Sequence, residues 1–191
     1  MQIQTVGIIG AGTMGNGIAQ ACATSGINVV MVDISEAAVQ KGLATVAGSL
    51  DRLIKKEKIS ATDKEAALAK IKVSTDYSAL KAAQLVIEAA TENEALKIKI
   101  LQEVDALVGP EVLIASNTSS ISITKLAAVT GRADKFIGMH FFNPVPMMAL
   151  VEVIRGLQTS DATHAAVQAL AQQLGKTPIT VKNGPGFVVN R

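Results

Sequence analysis

A chain of 191 residues in which 49% of the side chains are hydrophobic and 18% charged has the length and apolar content to bury a core, which excludes intrinsic disorder. A net charge of +2 supplies no field to recruit nucleic acid or an anionic membrane, and 3% aromatic residues, with no Trp and one Tyr, leave little surface for stacking on bases or sugars. Cys22 is the single cysteine, so no internal disulfide can form, the secreted and disulfide-stapled class is excluded, and a reducing, cytoplasmic setting is expected.

No charged residue precedes Asp33, yet this opening stretch is expected to be neither a leader nor a membrane span. It lacks a basic start, and it is broken by six glycines and by polar residues such as Gln4, Asn16 and Gln20. Residues 6–9, 29–32, 85–88 and 112–115 are short runs rich in Val and Ile that predict buried strands, with 72–74 a weaker one. A helix is expected after residue 12. Over 35–58, Val39, Leu43, Val46, Leu50 and Leu53 recur at helical steps and predict one long amphipathic helix. Thr62 and Glu65 have the spacing of a capping box, so a short second helix beginning there would complete a helical hairpin. A further helix is predicted over 93–108, stopped by Gly109 and Pro110. Beyond residue 120, strands at 136–140 and 151–154 flank Asn143, Pro144 and Pro146, and this region is expected to be antiparallel or irregular. A helix over 160–174, ended by Gly175, and a strand over 178–181 follow.

Strands alternating with helices predict an α/β domain built on a mostly parallel, doubly wound sheet. That domain is expected to span residues 1–185. Gly184, Pro185 and Gly186 read as a turn into a helix, so 186–191 are expected to begin a following helical domain that is absent from this sequence.

Gly10, Gly12 and Gly15 spell G-x-G-x-x-G between a predicted strand and a predicted helix, and a second strand ends at Asp33, 18 residues past Gly15. The first glycine permits a tight turn, the second lets backbone N–H groups approach a pyrophosphate, and the third allows close helix packing. A helix N-terminus favours the phosphates, and a carboxylate at Asp33 would accept ribose hydroxyls while repelling a 2′-phosphate. This is the fingerprint of a Rossmann-type site for NAD rather than NADP.

An enzyme that oxidises an alcohol with NAD needs a base for the hydroxyl proton. His164 lies among alanines in a predicted helix and reads as a surface residue. His140 instead ends a strand and opens a loop, where catalytic groups of open sheets sit. Twelve residues on, Glu152 lies in the apolar run 150–154, where a lone carboxylate is costly to bury. The two could form a hydrogen-bonded pair, or be a core histidine and an edge-strand glutamate; spacing does not choose. Arg52, Lys55, Lys56 and Lys58 could bind phosphates or form a solvated helix face. Thr118, Ser119, Ser120 and Ser122 are each possible helix caps, Glu94 and Lys97 possible exposed helix residues, and Cys22 reads as a small core residue.

The glycine loop 10–15, Ala89-Ala90-Thr91-Glu92-Asn93, Ser116-Asn117-Thr118-Ser119-Ser120, the segment 138–146 and the closing Pro185-Gly186-Phe187-Val188-Val189-Asn190-Arg191 together resemble the L-3-hydroxyacyl-CoA dehydrogenases, and among them the short bacterial enzymes of 3-hydroxybutyryl-CoA. The resemblance covers essentially the whole chain. It implies NAD-dependent interconversion of a (3S)-3-hydroxyacyl-CoA and the 3-oxoacyl-CoA, with His140 as general base, Glu152 orienting it, and Ser119 and Asn190 supporting substrate and catalytic geometry. It also implies cofactor contacts from Gly10, Gly12, Thr13, Met14, Gly15, Asp33, Glu92, Lys97 and Ser119, coenzyme A contacts from Ser49, Lys56 and Asn143, and no metal. A homodimer formed through the following domain is expected. Two other readings share parts of this pattern: a dehydrogenase of free 3-hydroxy acids, and a non-catalytic structural relative.

Overall fold

The computed structural model describes residues 1–184. Eight strands form one sheet in the order β3-β2-β1-β4-β5-β6-β7-β8. These are β1 (Thr5–Ile9), β2 (Asn28–Val32), β3 (Ile71–Ser74), β4 (Leu85–Glu88), β5 (Leu113–Ser116), β6 (Phe136–Phe141), β7 (Leu150–Arg155) and β8 (Thr177–Lys182). β1 to β6 are parallel; β7 runs antiparallel to β6, and β8 is parallel to β7. The expected mostly parallel, doubly wound sheet is therefore present, and the region past residue 120 supplies its antiparallel turn.

Alternation along each strand assigns side chains to two cores. Ile8, Val29, Met31, Leu85 and Ile87 pack under α1 (Thr13–Thr24), the hairpin of α2 (Glu36–Lys55) and α3 (Ala61–Ala69), and α6 (Asp161–Gln173). Ile9, Val30, Val32, Val86 and Ile114 face the opposite side, toward α4 (Glu94–Leu107), α5 (Ile123–Ala128) and a 3-10 turn at Tyr77–Ala82. Burial on both faces explains why the strands read as continuous apolar runs rather than alternating ones.

The predicted long helix starts where Ser35 accepts a hydrogen bond from the Ala38 amide, and ends at Lys55 with Lys56 as its C-cap. The capping box of α3 lies two residues before the expected Thr62 and Glu65. Ser60 Oγ accepts from Asp63 N at 3.1 Å, and Asp63 Oδ2 accepts from Ser60 N at 2.9 Å. The chain reverses through Glu57 at φ 56°, so the first amides in need of partners come earlier than the Thr62 pattern suggested. Residues 185–191, including Asn190 and the start of the expected second domain, lie outside the described residues.

α5 and the 3-10 turns at Tyr77–Ala82 and Ala133–Lys135 have no counterpart in the predicted elements, being too short to show periodicity. α5 and the second turn are pinned through Arg132, whose guanidinium is buried. It donates to the Asp105, Val108, Gly109 and Val112 carbonyls and pairs with Asp105 Oδ1 at 2.6 Å, closing the C-terminal end of α4.

Candidate active site

Chain order runs outward from β1 to β3 and then restarts with β4 on the other side of β1, so the crossovers diverge at the C-terminal ends of β1 and β4. Open α/β sheets bind ligands at that switch point. A cleft of about 360 Å³ lies there, lined by Gly10, Gly12, Thr13, Met14, Asp33, Ala89, Ala90, Thr91, Glu92, Lys97 and Asn117.

Two glycines of the 10–15 loop are required by geometry. Gly10 has φ +107°, and a Cβ there would stand 2.6 Å from the Ala89 carbonyl oxygen; a Cβ on Gly15 would meet Gly10 O at 1.8 Å. Gly12 differs, because a Cβ there would meet nothing within 4 Å and would instead occupy the open mouth of the cleft. Gly12 is also the N-cap of α1 and gives it no side-chain cap, so the first amides of that helix are left for another acceptor. A pyrophosphate fits this space and these donors. Asp33 is held at the end of β2, with Oδ2 accepting from Ala11 N at 2.8 Å and Oδ1 from Ile34 N at 2.7 Å. Each oxygen keeps further acceptor capacity for a ribose hydroxyl.

Glu92 and Lys97 both line the cleft, as the sequence led us to expect, but they are built differently. Glu92 accepts from Thr118 Oγ1 at 3.0 Å and from the Ser119 amide at 3.4 Å, joining the β4 and β5 loops. Lys97 is not an exposed helix residue. It is buried, ion-paired with Glu88, with Ser116 Oγ donating to the same Glu88 Oε1 at 2.8 Å and Ala90 N to Oε2 at 2.9 Å. Glu94, by contrast, is half-buried and pairs with Lys125.

Beside the cleft lies a pocket of about 310 Å³ lined by Met14, Glu92, Asn117, Ser119, His140, Phe141, Phe142 and Asn143. Met14, Glu92 and Asn117 line both cavities, so the two adjoin. His140 and Glu152 sit directly opposite one another across the β6–β7 ladder, and His140 Nδ1 lies 2.9 Å from Glu152 Oε1. Both are buried, Glu152 completely. Donation of the Nδ1 proton to the carboxylate makes Nε2 the basic nitrogen of the neutral ring. Phe142 packs against the imidazole at a centroid distance of 4.4 Å. His164, the other histidine, sits on α6, contacts Thr180 Oγ1 at 2.8 Å and does not line this pocket.

Among the serines and threonines after β5, Ser122 is the helix cap, accepting from Lys125 N, while Thr118 accepts from the Ser120 and Ile121 amides. Ser119 is the one that lines the His140 pocket. Asn117 escaped the sequence reading. Its Oδ1 accepts from the Phe141 amide at 2.8 Å, tying β5 to the residue after His140, and its position in a Ser/Thr-rich segment concealed this.

A third cavity, of about 320 Å³, brings Ser49, Arg52 and Lys56 of the long helix together with Thr13, Asn16, Gly17, Gln20, Thr45, Leu53 and the loop residues Asn143 to Met147. Asn143 lines this cavity and the His140 pocket, and Thr13 lines this cavity and the cleft, so the three cavities share walls. Of the basic residues weighed at the end of the helix, Arg52 and Lys56 face this cavity; Lys55 and Lys58 do not line it.

A glycine loop opening a helix without a side-chain cap, a ribose-side acid and a buried His–Glu pair beside the cleft are the features of a dinucleotide-binding domain. The family model described as 3-hydroxyacyl-CoA dehydrogenase, NAD binding domain, matches residues 5–184, and the chain belongs to this family. It is 47% identical over 189 residues to the 3-hydroxybutyryl-CoA dehydrogenase of Bradyrhizobium diazoefficiens, a match covering 99% of this chain and 64% of that protein. The crystal structure of (S)-3-hydroxybutyryl-CoA dehydrogenase from Ralstonia eutropha superposes with a TM-score of 0.99 at 77% identity, covering all of this chain and 67% of that one. The 3-hydroxybutyryl-CoA dehydrogenase of Escherichia coli K12 superposes at a TM-score of 0.96 and 39% identity, over 99% of this chain and 40% of that one. No helix among the described residues is long and apolar enough to cross a membrane.

Proposed function

We propose that the protein interconverts (3S)-3-hydroxyacyl-CoA and 3-oxoacyl-CoA with NAD, acting on short chains such as 3-hydroxybutyryl-CoA. The observation that carries this reading is the buried His140–Glu152 pair, whose histidine lines a pocket that adjoins the dinucleotide cleft. Bound NAD would supply the two-electron acceptor for hydride leaving C3 of the substrate. His140 Nε2 takes the C3 hydroxyl proton as that carbon becomes a carbonyl, and Glu152 balances the imidazolium charge through Nδ1–H. In the reverse direction the same nitrogen returns the proton.

Ser119, on the wall of the His140 pocket, is suited to hydrogen-bond the reacting oxygen. The hydroxyl of Ser49 and the cations of Arg52 and Lys56 in the adjoining cavity suit the phosphates and pantetheine of coenzyme A, which favours a thioester substrate over a free 3-hydroxy acid. Asn190 is assigned to substrate support by resemblance, and a homodimer is the expected assembly. His140→Ala tests the proposal: turnover of acetoacetyl-CoA with NADH should fall about 10²- to 10⁴-fold, the usual contribution of general acid–base catalysis, while the NADH dissociation constant stays near that of the parent. Unchanged turnover would refute the assignment.

A further inference from the structure

Residues 142–149 connect β6, which carries His140, to β7, which carries Glu152. This one loop walls two cavities: Asn143 lines the His140 pocket, and Asn143 to Met147 line the cavity that also holds Ser49 and Lys56. Two turn hydrogen bonds run within it, from the Met147 and Met148 amides to Pro144 O at 3.0 and 3.1 Å. Val145 is buried against α1, where a Cβ on Gly17 would come within 2.9 Å of it, whereas Met147 stands 79% exposed. The loop thus has one apolar anchor and an open rim.

A second fastening comes from outside the loop. Lys176 Nζ donates to Val145 O at 2.6 Å and to Met148 O at 2.8 Å, gripping carbonyls on both sides of the turn. The base of Lys176 is itself fixed. It follows Gly175 (φ +74°), which ends α6, and precedes Thr177, whose amide donates to Ala149 O at 2.7 Å. Burial pushes the ammonium below the usual lysine range, and none of the ion pairs among the described residues includes Lys176. A partly desolvated ammonium held by two carbonyls stabilises one loop shape, since the conformations that release it leave the charge without those partners.

We propose that Lys176 is a positioning residue for acyl-CoA, holding the Val145 and Met148 carbonyls so that the 143–147 segment keeps the shape of the coenzyme A wall. This rests on the function proposed above. None of residues 142–149 lines the dinucleotide cleft, so cofactor binding is the internal control.

Lys176→Met should raise KM for acetoacetyl-CoA about ten-fold, the size of a lost charged hydrogen bond's worth of preorganisation, with the NADH dissociation constant within about two-fold of the parent. Lys176→Arg, which keeps the charge and the donors, should recover most of the loss. Amide exchange over 143–149 should quicken about ten-fold in Lys176→Met while α1 is unaffected. If Lys176→Met does not fold, Lys176→Gln, whose shorter neutral amide keeps N–H donors but not the charge, carries the same comparison with an intermediate KM expected. A KM within about two-fold of the parent, or an equal loss of NADH affinity, would overturn the proposal. Calorimetry with coenzyme A separates the two readings. Should the parent bind coenzyme A without turning over acetoacetyl-CoA, the assigned reaction fails, while coenzyme A affinity about ten-fold weaker in Lys176→Met still upholds the loop assignment and equal affinity overturns it. No coenzyme A binding by the parent overturns both.

Discussion

Lys97→Met should destabilise the domain by about 3 kcal/mol, the low end of the cost of stripping one partner from a buried ion pair. Lys97 and Glu88 are 1% and 0% exposed, so in the variant the Glu88 carboxylate remains out of water and loses its cation. Methionine replaces most of the lysine stem, which keeps the cavity term small. What limits the loss is that Glu88 retains two donors, Ser116 Oγ at 2.8 Å and Ala90 N at 2.9 Å, each worth roughly 1.5–3 kcal/mol to an ionised group. A domain with the usual stability of about 5–15 kcal/mol survives this and can be measured. Urea denaturation followed by far-UV circular dichroism reads the change. The double variant Glu88→Gln/Lys97→Met should be more stable than Lys97→Met by itself, because an uncharged amide is less costly to bury without a cation. NADH affinity should also drop in Lys97→Met, since Lys97 lines the cleft. A loss below about 1 kcal/mol, or a double variant less stable than the single one, would refute the view that this pair depends on mutual charge neutralisation.

Glu152→Gln keeps an acceptor for His140 Nδ1–H but removes the charge; turnover should fall about ten-fold, the difference between a charge-assisted and a neutral hydrogen bond, and a parental rate near pH 7 would contradict the role given to Glu152. Asp33→Ser combined with Ile34→Arg should narrow the preference for NAD over NADP, because it exchanges a carboxylate that repels a 2′-phosphate for a cation that receives one; equal affinity for both cofactors in the unmodified chain would sink the argument. Burial pushes the Cys22 thiol up to about 12, so iodoacetamide at pH 8.5 should leave the native protein unmodified and alkylate it once unfolded; labelling of the native state at the rate of an exposed thiol would show the assignment to be mistaken.

Where a signal is local, the sequence already contained it. The glycine loop needs its turn and its close packing within six residues, Asp33 follows its strand directly, and the stripe from Val39 to Leu53 repeats along one helix. Such features announce the α/β class and the dinucleotide site because neighbours in the chain are neighbours in space. The Thr62 and Glu65 pattern shows the limit of that rule: Ser60 and Asp63 form the box, since the turn through Glu57 sets where the helix begins.

Contacts made across the sheet were decided by the tertiary structure. Whether His140 and Glu152 were a pair or two unrelated residues depended on the antiparallel register of β6 and β7, which places them opposite one another; a slip of one residue would turn Glu152 to the other face. Lys97, which by sequence could equally have been an exposed helix residue, is buried because α4 lays it against Glu88 and Ser116 from two different strands. Asn117 gained its role by reaching the Phe141 amide 24 residues away, and Lys176 by reaching back 31 and 28 residues to the loop carbonyls. Composition and periodicity carry information about which faces are apolar. The partners of a polar side chain are set by the hydrogen-bond needs of groups the fold brings from elsewhere in the chain.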